Sequence, residues 1–151
     1  MAFEISIHQE CPRIKVSEIT LKKIAGKILR DLGFKKAVLS VLLVGSERMR
    51  VLNQRYLRHA RTTDVLAFSE LDPAARAFKA KRVDFLGDIA LCLSTIRAQA
   101  AEYDHTFEEE LHYCLCHGIL HLLGYKDKTR AASKKMHQKQ KQLLSRVDRN
   151  N

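Results

Sequence analysis

Residues 37–44 read A-V-L-S-V-L-L-V. A run this apolar and this rich in valine is typical of a buried strand, and it is too short to make a convincing helix. Phe3, Ile5 and Ile7 alternate with polar residues near the N-terminus, which predicts an opening strand with one buried face. The first part of the chain is therefore expected to contribute at least two strands to a sheet.

Helical patterns and two further strands follow these segments. Ser17 predicts the start of a first helix and Gly33 its end, with apolar residues at helical spacing between them. The other helices are predicted over 46–56, 94–103, 107–123 and 129–146, and the other strands over 64–69 and 84–93. The expected fold class is α/β (α+β), with a small, roughly four-stranded mixed sheet packed with about five helices.

Length and composition predict one cytoplasmic domain spanning residues 1–151. A chain of 151 residues is long enough to bury its own core, and a hydrophobic content of 46% is typical of a globular protein. The longest apolar run, 37–45, is too short to cross a bilayer, and the N-terminus shows no secretory-signal pattern. We therefore expect no membrane partner, and we expect the four cysteines to stay reduced.

The chain is strongly basic. It carries 27 lysines and arginines against 17 acidic residues, which gives a net charge of +10 and a pI near 9.7. Much of the excess lies in residues 126–149. A basic surface suits a polyanionic partner such as a nucleic acid. A solvated helix face that only keeps the protein in solution is the alternative, and charge alone does not separate the two.

The most specific chemistry lies in residues 117–127, H-G-I-L-H-L-L-G-Y-K-D. At about 100° per residue, one stripe of the predicted helix holds four side chains with polar or sulfur atoms, Glu110, Cys114, His117 and His121. An apolar arc lies beside this stripe. Because histidines four residues apart project from the same helix face, their imidazoles can share one metal ion.

A third ligand candidate follows the predicted helix end at Gly124. Asp127 lies three residues later, and its carboxylate is a hard oxygen donor compatible with Zn²⁺ beside two imidazoles. The spacing matches the extended zinc motif H-E-x-x-H-x-x-G-x-x-H, with Asp in the last place. Three protein ligands leave one position open for water, as in catalytic zinc sites. We predict one Zn²⁺ on this C-terminal helix, held by His117, His121 and Asp127.

These residues also have purely structural interpretations. Two histidines on a helix are often only hydrogen-bonded, and Asp127 is alternatively a surface residue that precedes the last helix. Cys114 is better explained by core packing than by ligation. Glu110 either orients a ligand or interacts with the helix dipole, and His112 is expected at the surface. Gly118 occupies the place of the general base in H-E-x-x-H peptidases, which argues against peptidase chemistry.

Four sequence blocks occur in a recognisable order between residues 52 and 127. They are L-N-Q-R-Y (52–56), T-D-V-L-A-F (63–68), G-D-I-A-L-C (87–92) and H-G-I-L-H-L-L-G-Y (117–125). Together they resemble the YbeY family of bacterial endoribonucleases, whose corresponding strand reads T-D-V-L-S-F. The chain length also fits that family.

The resemblance implies a metal-dependent endoribonuclease domain with a mostly parallel or mixed sheet and a zinc ion at the C-terminal motif. It implies cleavage of single-stranded RNA in ribosomal RNA maturation, at the 3′ end of 16S rRNA, and in ribosome quality control. RNA and the ribosome or a ribosomal subunit are therefore the expected partners. The family's metal ligands correspond to His117, His121 and the residue at 127.

Two positions depart from the family pattern. The family motif usually ends G-Y-D-H, whereas this chain reads G-Y-K-D, so that Asp127 replaces a third imidazole and should make the ion a weaker Lewis acid. The family also commonly has an arginine directly after the tyrosine of N-x-x-Y, where this chain has Leu57. Arg58 and Arg61 are the candidates that remain for a catalytic guanidinium.

The expected reaction is hydrolysis of an RNA phosphodiester by a metal-activated water. Two alternatives stay open. One is a ribosome- or RNA-binding factor with a structural zinc and little catalysis, and the other is a zinc-dependent hydrolase of peptides or small molecules, which Gly118 disfavours.

Overall fold

Four strands and five helices make up the part of the chain that the computed structural model describes, residues 2–57, 64–68 and 85–149. In chain order they are β1 (Ala2–Gln9), α1 (Glu18–Asp31), β2 (Lys36–Val44), α2 (Ser46–Leu57), β3 (Val65–Phe68), β4 (Phe85–Cys92), α3 (Leu93–Glu102), α4 (Phe107–Leu122) and α5 (Arg130–Arg149). None of these helices is both long and apolar enough to cross a membrane.

The strands form one mixed sheet in the order β1-β2-β4-β3. β1, β2 and β4 run parallel to one another, and β3 pairs antiparallel to β4. The most apolar strand, β2, lies inside the sheet, where a side chain on either face meets other protein atoms. The predicted α/β class is confirmed, and the strand and helix numbers agree with the prediction over the described residues.

Alternate residues of the inner strands face two separate apolar clusters. Leu39 and Leu43 of β2 join Ile89 and Leu91 of β4 in the larger cluster, to which α1, α3, α4 and α5 also contribute. The opposite face buries a smaller cluster against α2, made of Val44, Met49, Leu52, Leu66, Ala90 and Cys92. Most of the core therefore lies on the side of the sheet that carries α4.

The predicted helix ends lie within one or two residues of the observed ends, except at the end of the last helix. Ser17 caps α1 by accepting a hydrogen bond from the backbone N–H of Thr20, and Thr106 and Glu109 form the expected capping box at the start of α4. The last helix, α5, continues to Arg149, beyond the predicted end at 146, because Val147 extends its buried stripe. All four cysteines are free, as predicted, and all four are buried.

α4 lies tightly against the sheet at Gly118. A Cβ on this residue would lie 2.9 Å from Cγ2 of Ile89 and 3.2 Å from Cγ2 of Val65. Ile89 is fully buried in the core, where a side chain cannot shift without disturbing its packed neighbours. The position that holds the general base in H-E-x-x-H peptidases therefore has no room for a side chain here, which gives a physical reason for its glycine.

Gly118→Ala should destabilise the fold, whereas Gly26→Ala should stabilise it. Both glycines lie inside helices, where alanine is favoured by about 0.5–1 kcal/mol, and the added Cβ at Gly26 meets only Cδ2 of Phe3 at 3.9 Å. At Gly118 the overpacking cost of about 1–3 kcal/mol should exceed that gain. Urea unfolding of the two chelator-treated variants measures the difference. An equal gain in both would contradict the tight α4–sheet contact.

Candidate metal centre

Three donor atoms converge at the C-terminal end of α4. The Nε2 atoms of His117 and His121 lie 2.9 Å apart, and Oδ2 of Asp127 lies 3.6 Å from each of them. Among the described residues, these side chains are the one group of three whose ligand atoms gather closely enough to hold a metal ion. The structure thus brings together the three residues that the sequence singled out.

A left-handed turn at Gly124 returns the chain to the histidines. Gly124 has φ of +97°, and its N–H donates to the carbonyl of His121 at 3.0 Å. The N–H of Tyr125 donates to the carbonyl of Leu120 at 3.1 Å. These two bonds form a Schellman motif, which ends a helix sharply and favours glycine at the left-handed position. Asp127 follows directly after this turn.

The same turn orients His121. Its Nδ1 lies 3.0 Å from the backbone carbonyl oxygen of Tyr125. Because a carbonyl oxygen can only accept, Nδ1 must carry the proton and donate it. The lone pair is then on Nε2, the atom that faces Asp127 and His117, as a ligating histidine requires.

Gln140 of α5 orients His117 in a corresponding way. The side-chain amide nitrogen of Gln140 donates to the carbonyl oxygen of Tyr113 at 3.4 Å, which turns its Oε1 towards Nδ1 of His117 at 3.3 Å. Nδ1 of His117 is therefore the donor, and its Nε2 also presents a lone pair. Gln140 is almost completely buried, and sequence reasoning missed it. The available signal was a polar residue at helical spacing from Met136 and Leu143, within a buried stripe.

The donor geometry fits a small divalent cation. Two Nε2 lone pairs facing each other at 2.9 Å repel unless a cation lies near both. Bonds of 2.0–2.1 Å at a tetrahedral angle place donor atoms about 3.3 Å apart, within the range of the three observed separations. Burial, followed by the charge of His121, lowers the pKa of His117, which favours the neutral imidazole that metals bind.

Other polar side chains of the α4 stripe do not join the centre. The carboxylate of Glu110 lies 3.2 Å from Nδ1 of His105 and also accepts from the Cys114 thiol, so it does not orient a ligand histidine. Cys114 is buried in the core, as predicted, and burial raises the pKa of its thiol. His112 is partly buried rather than at the surface. Arg58 and Arg61 lie outside the described residues.

Comparison with known proteins identifies the family. The sequence matches the family model described as Endoribonuclease YbeY over residues 5–148. The chain belongs to the YbeY endoribonuclease family. This confirms the predicted family and, with it, the enzyme class, since the relatives share the name endoribonuclease.

Three relatives and one solved structure illustrate the match. Proteins named Endoribonuclease YbeY from Salinibacter ruber and Staphylococcus carnosus are 33% identical over 143 residues and 39% identical over 110 residues. These matches span 95% and 72% of this chain, and 91% and 71% of those relatives. The Fusobacterium nucleatum relative is 38% identical over 107 residues, which span 71% of this chain and 65% of that protein. The solution structure of TM1509 from Thermotoga maritima is similar, with a TM-score of 0.59 at 25% identity, covering 98% of this chain and 93% of that one.

Gln140→Leu should weaken zinc binding by about 10- to 100-fold. The substitution keeps a buried side chain of similar size but removes the acceptor that fixes the tautomer of His117. Gln140→Glu retains an acceptor for Nδ1 of His117 but loses the donor to the Tyr113 carbonyl, so it should bind zinc more tightly than Gln140→Leu does. Gln138→Leu, at an exposed position of the same helix, is the matched control. Competition with a chromophoric chelator measures the affinities, and a Gln140→Leu protein that binds as tightly as the control would rule out the orienting role.

Proposed function

We propose that this chain is a zinc-dependent endoribonuclease that hydrolyses phosphodiester bonds of single-stranded RNA. The observation that carries the proposal is the group formed by His117, His121 and Asp127, in a chain that belongs to an endoribonuclease family. Two nitrogen donors and one oxygen donor suit Zn²⁺, and three protein ligands leave a position open for water or substrate.

Each residue of the group has a distinct part in the proposed reaction. His117 and His121 would hold the ion through Nε2, since Gln140 and the carbonyl of Tyr125 accept hydrogen bonds from their Nδ1 atoms. When bound, the ion supplies an activated water and neutralises charge on the phosphate in the transition state. Asp127 contributes a negative charge where relatives of this family usually offer a neutral imidazole, so the activation of water should be weaker. Its side chain is 45% exposed, so the third ligand borders the solvent from which substrate arrives.

The finer assignments rest on the family. We propose that the substrate is ribosomal RNA, with action in 16S rRNA 3′-end maturation and in ribosome quality control, and that the ribosome or a subunit is the partner. Residues 1–151 would then act as a single cytoplasmic domain. The net charge of +10 supports a polyanionic substrate. We further propose that Arg58 or Arg61 supplies the catalytic guanidinium.

His121→Ala should lose both bound zinc and RNA cleavage, because two remaining ligands hold the ion weakly. Asp127→His should retain both and cleave at least as fast as the parent, because a neutral third ligand leaves the ion a stronger Lewis acid. His8→Ala, at an exposed position of β1, is the control. Elemental analysis and cleavage of a fluorescent single-stranded RNA are the measurements.

Two outcomes of this experiment would contradict the proposal. Cleavage that is as fast after removal of the metal as before it would exclude zinc from the mechanism. Zinc retained by the parent protein without RNA cleavage would instead favour the RNA-binding factor with a structural zinc.

A further inference from the structure

A groove between α4 and α5 leads away from the candidate metal centre. It consists of two clefts of about 580 and 720 Å³, and both clefts are lined by Tyr113 of α4 and His137 of α5. The first cleft also contains His117 and Asp127 in its wall. We call the two clefts together the α4–α5 groove. It is continuous with the proposed site of hydrolysis.

Aromatic rings occupy the middle of the α4–α5 groove. The ring of Tyr113 stacks on that of His117, with centroids 6.3 Å apart and planes 25° apart. At the edge of the same ring, the Tyr113 hydroxyl lies 3.3 Å from Nδ1 of His137. Three rings therefore run from the metal centre to the junction of the clefts. Aromatic side chains in such grooves stack on unpaired nucleobases, which a base-paired helix does not expose.

Cationic side chains surround the first cleft. Lys128, Arg130 and Lys134 line it, and Asp127 is the one carboxylate among the described residues that do so. None of the three cations forms an ion pair with a residue that the structure describes. Their charges are therefore available to a ligand. Lysine and arginine side chains in this arrangement bind backbone phosphates.

The wider charge distribution favours the same ligand. Residues 126–149 contain nine lysines and arginines and two aspartates, so this segment carries +7 of the chain's net +10. The second cleft is less basic, because Glu109 lines it together with Lys141. The groove is thus most cationic directly beside the metal donors.

From these observations we propose that the α4–α5 groove binds a single strand of RNA. Lys128, Arg130 and Lys134 hold the phosphates next to the one that is cleaved, and Tyr113 stacks on an unpaired base. This inference rests on the proposed function and assigns the substrate path to it. It also gives a reason for single-strand preference, since Tyr113 lies between two helices where a duplex cannot present a base face.

The first test removes the three cationic side chains that line the first cleft. A Lys128→Gln, Arg130→Gln, Lys134→Gln triple variant is compared with Lys22→Gln, Lys23→Gln, Arg30→Gln, which removes the same charges from the exposed face of α1. Binding of a fluorescent 2′-O-methyl oligoribonucleotide, chosen to slow cleavage, is measured by anisotropy on zinc-loaded protein over a range of salt. Each phosphate contact contributes about −0.7 to the slope of log affinity against log salt for a single strand. The slope should therefore be less steep by about 2 for the groove variant than for the parent, and it should be unchanged for the α1 variant.

The second test removes the aromatic ring of Tyr113, which lines both clefts. Tyr113→Leu should weaken binding of the same oligonucleotide by about tenfold, because it removes a stacking surface. Tyr113→Phe keeps the ring and should bind as the parent does. Zinc titration of both variants serves as the structural readout, because a variant that only disturbs His117 would lose zinc affinity as well.

The outcomes distinguish this inference from the proposed function. If the parent cleaves RNA but the groove variants bind with unchanged slope and affinity, the groove assignment is wrong and the function stands. If a duplex binds as well as the single strand, with no effect of Tyr113→Leu, the single-strand path is wrong. If the parent neither binds nor cleaves RNA, the proposed function itself fails, and the groove assignment fails with it.

Discussion

The left-handed turn at Gly124 is the constraint on which the candidate metal centre depends. It ends α4 with two hydrogen bonds, sets the carbonyl of Tyr125 against Nδ1 of His121, and brings Asp127 back within 3.6 Å of both Nε2 atoms. A residue with a Cβ adopts φ of +97° only at a cost, whereas glycine adopts it readily. One backbone conformation thus provides a helix end, a fixed tautomer and a third ligand.

The rest of the fold positions the two histidines through contacts of α4 with the sheet and with α5. Gly118 lets α4 lie directly against β3 and β4, and the close contact with Ile89 fixes the rotation of the helix about its axis. The histidine stripe is consequently held at the border between α4 and α5. From α5, the buried Gln140 reaches His117 and holds its ring as the turn holds that of His121. The two imidazoles are thus oriented by different elements, one local in sequence and the other distant.

This division explains how much of the site was predictable from the sequence. His117, His121 and Asp127 lie within eleven residues on one helix and its turn, so helix geometry and a glycine stop sufficed to group them. The strands and helices were predictable for the same reason, since their periodicities are local. Gln140 and the α4–α5 groove depend on how α5 packs against α4, which no local pattern encodes. The position of Glu110 on the histidine stripe suggested that its carboxylate orients a ligand. In the structure this carboxylate instead contacts Nδ1 of His105, from the segment before α4, which the helix pattern does not include.

The central claim is that the two histidines and Asp127 hold one zinc ion without sulfur. X-ray absorption at the zinc edge, on protein purified without added metal, tests it most directly. The account predicts two imidazole nitrogens at about 2.0–2.1 Å and oxygen donors at about 2.0–2.2 Å, with no scatterer at the distance of about 2.3 Å that is typical of cysteine sulfur. A sulfur ligand, or a shell of oxygens without imidazole, would contradict the proposed centre.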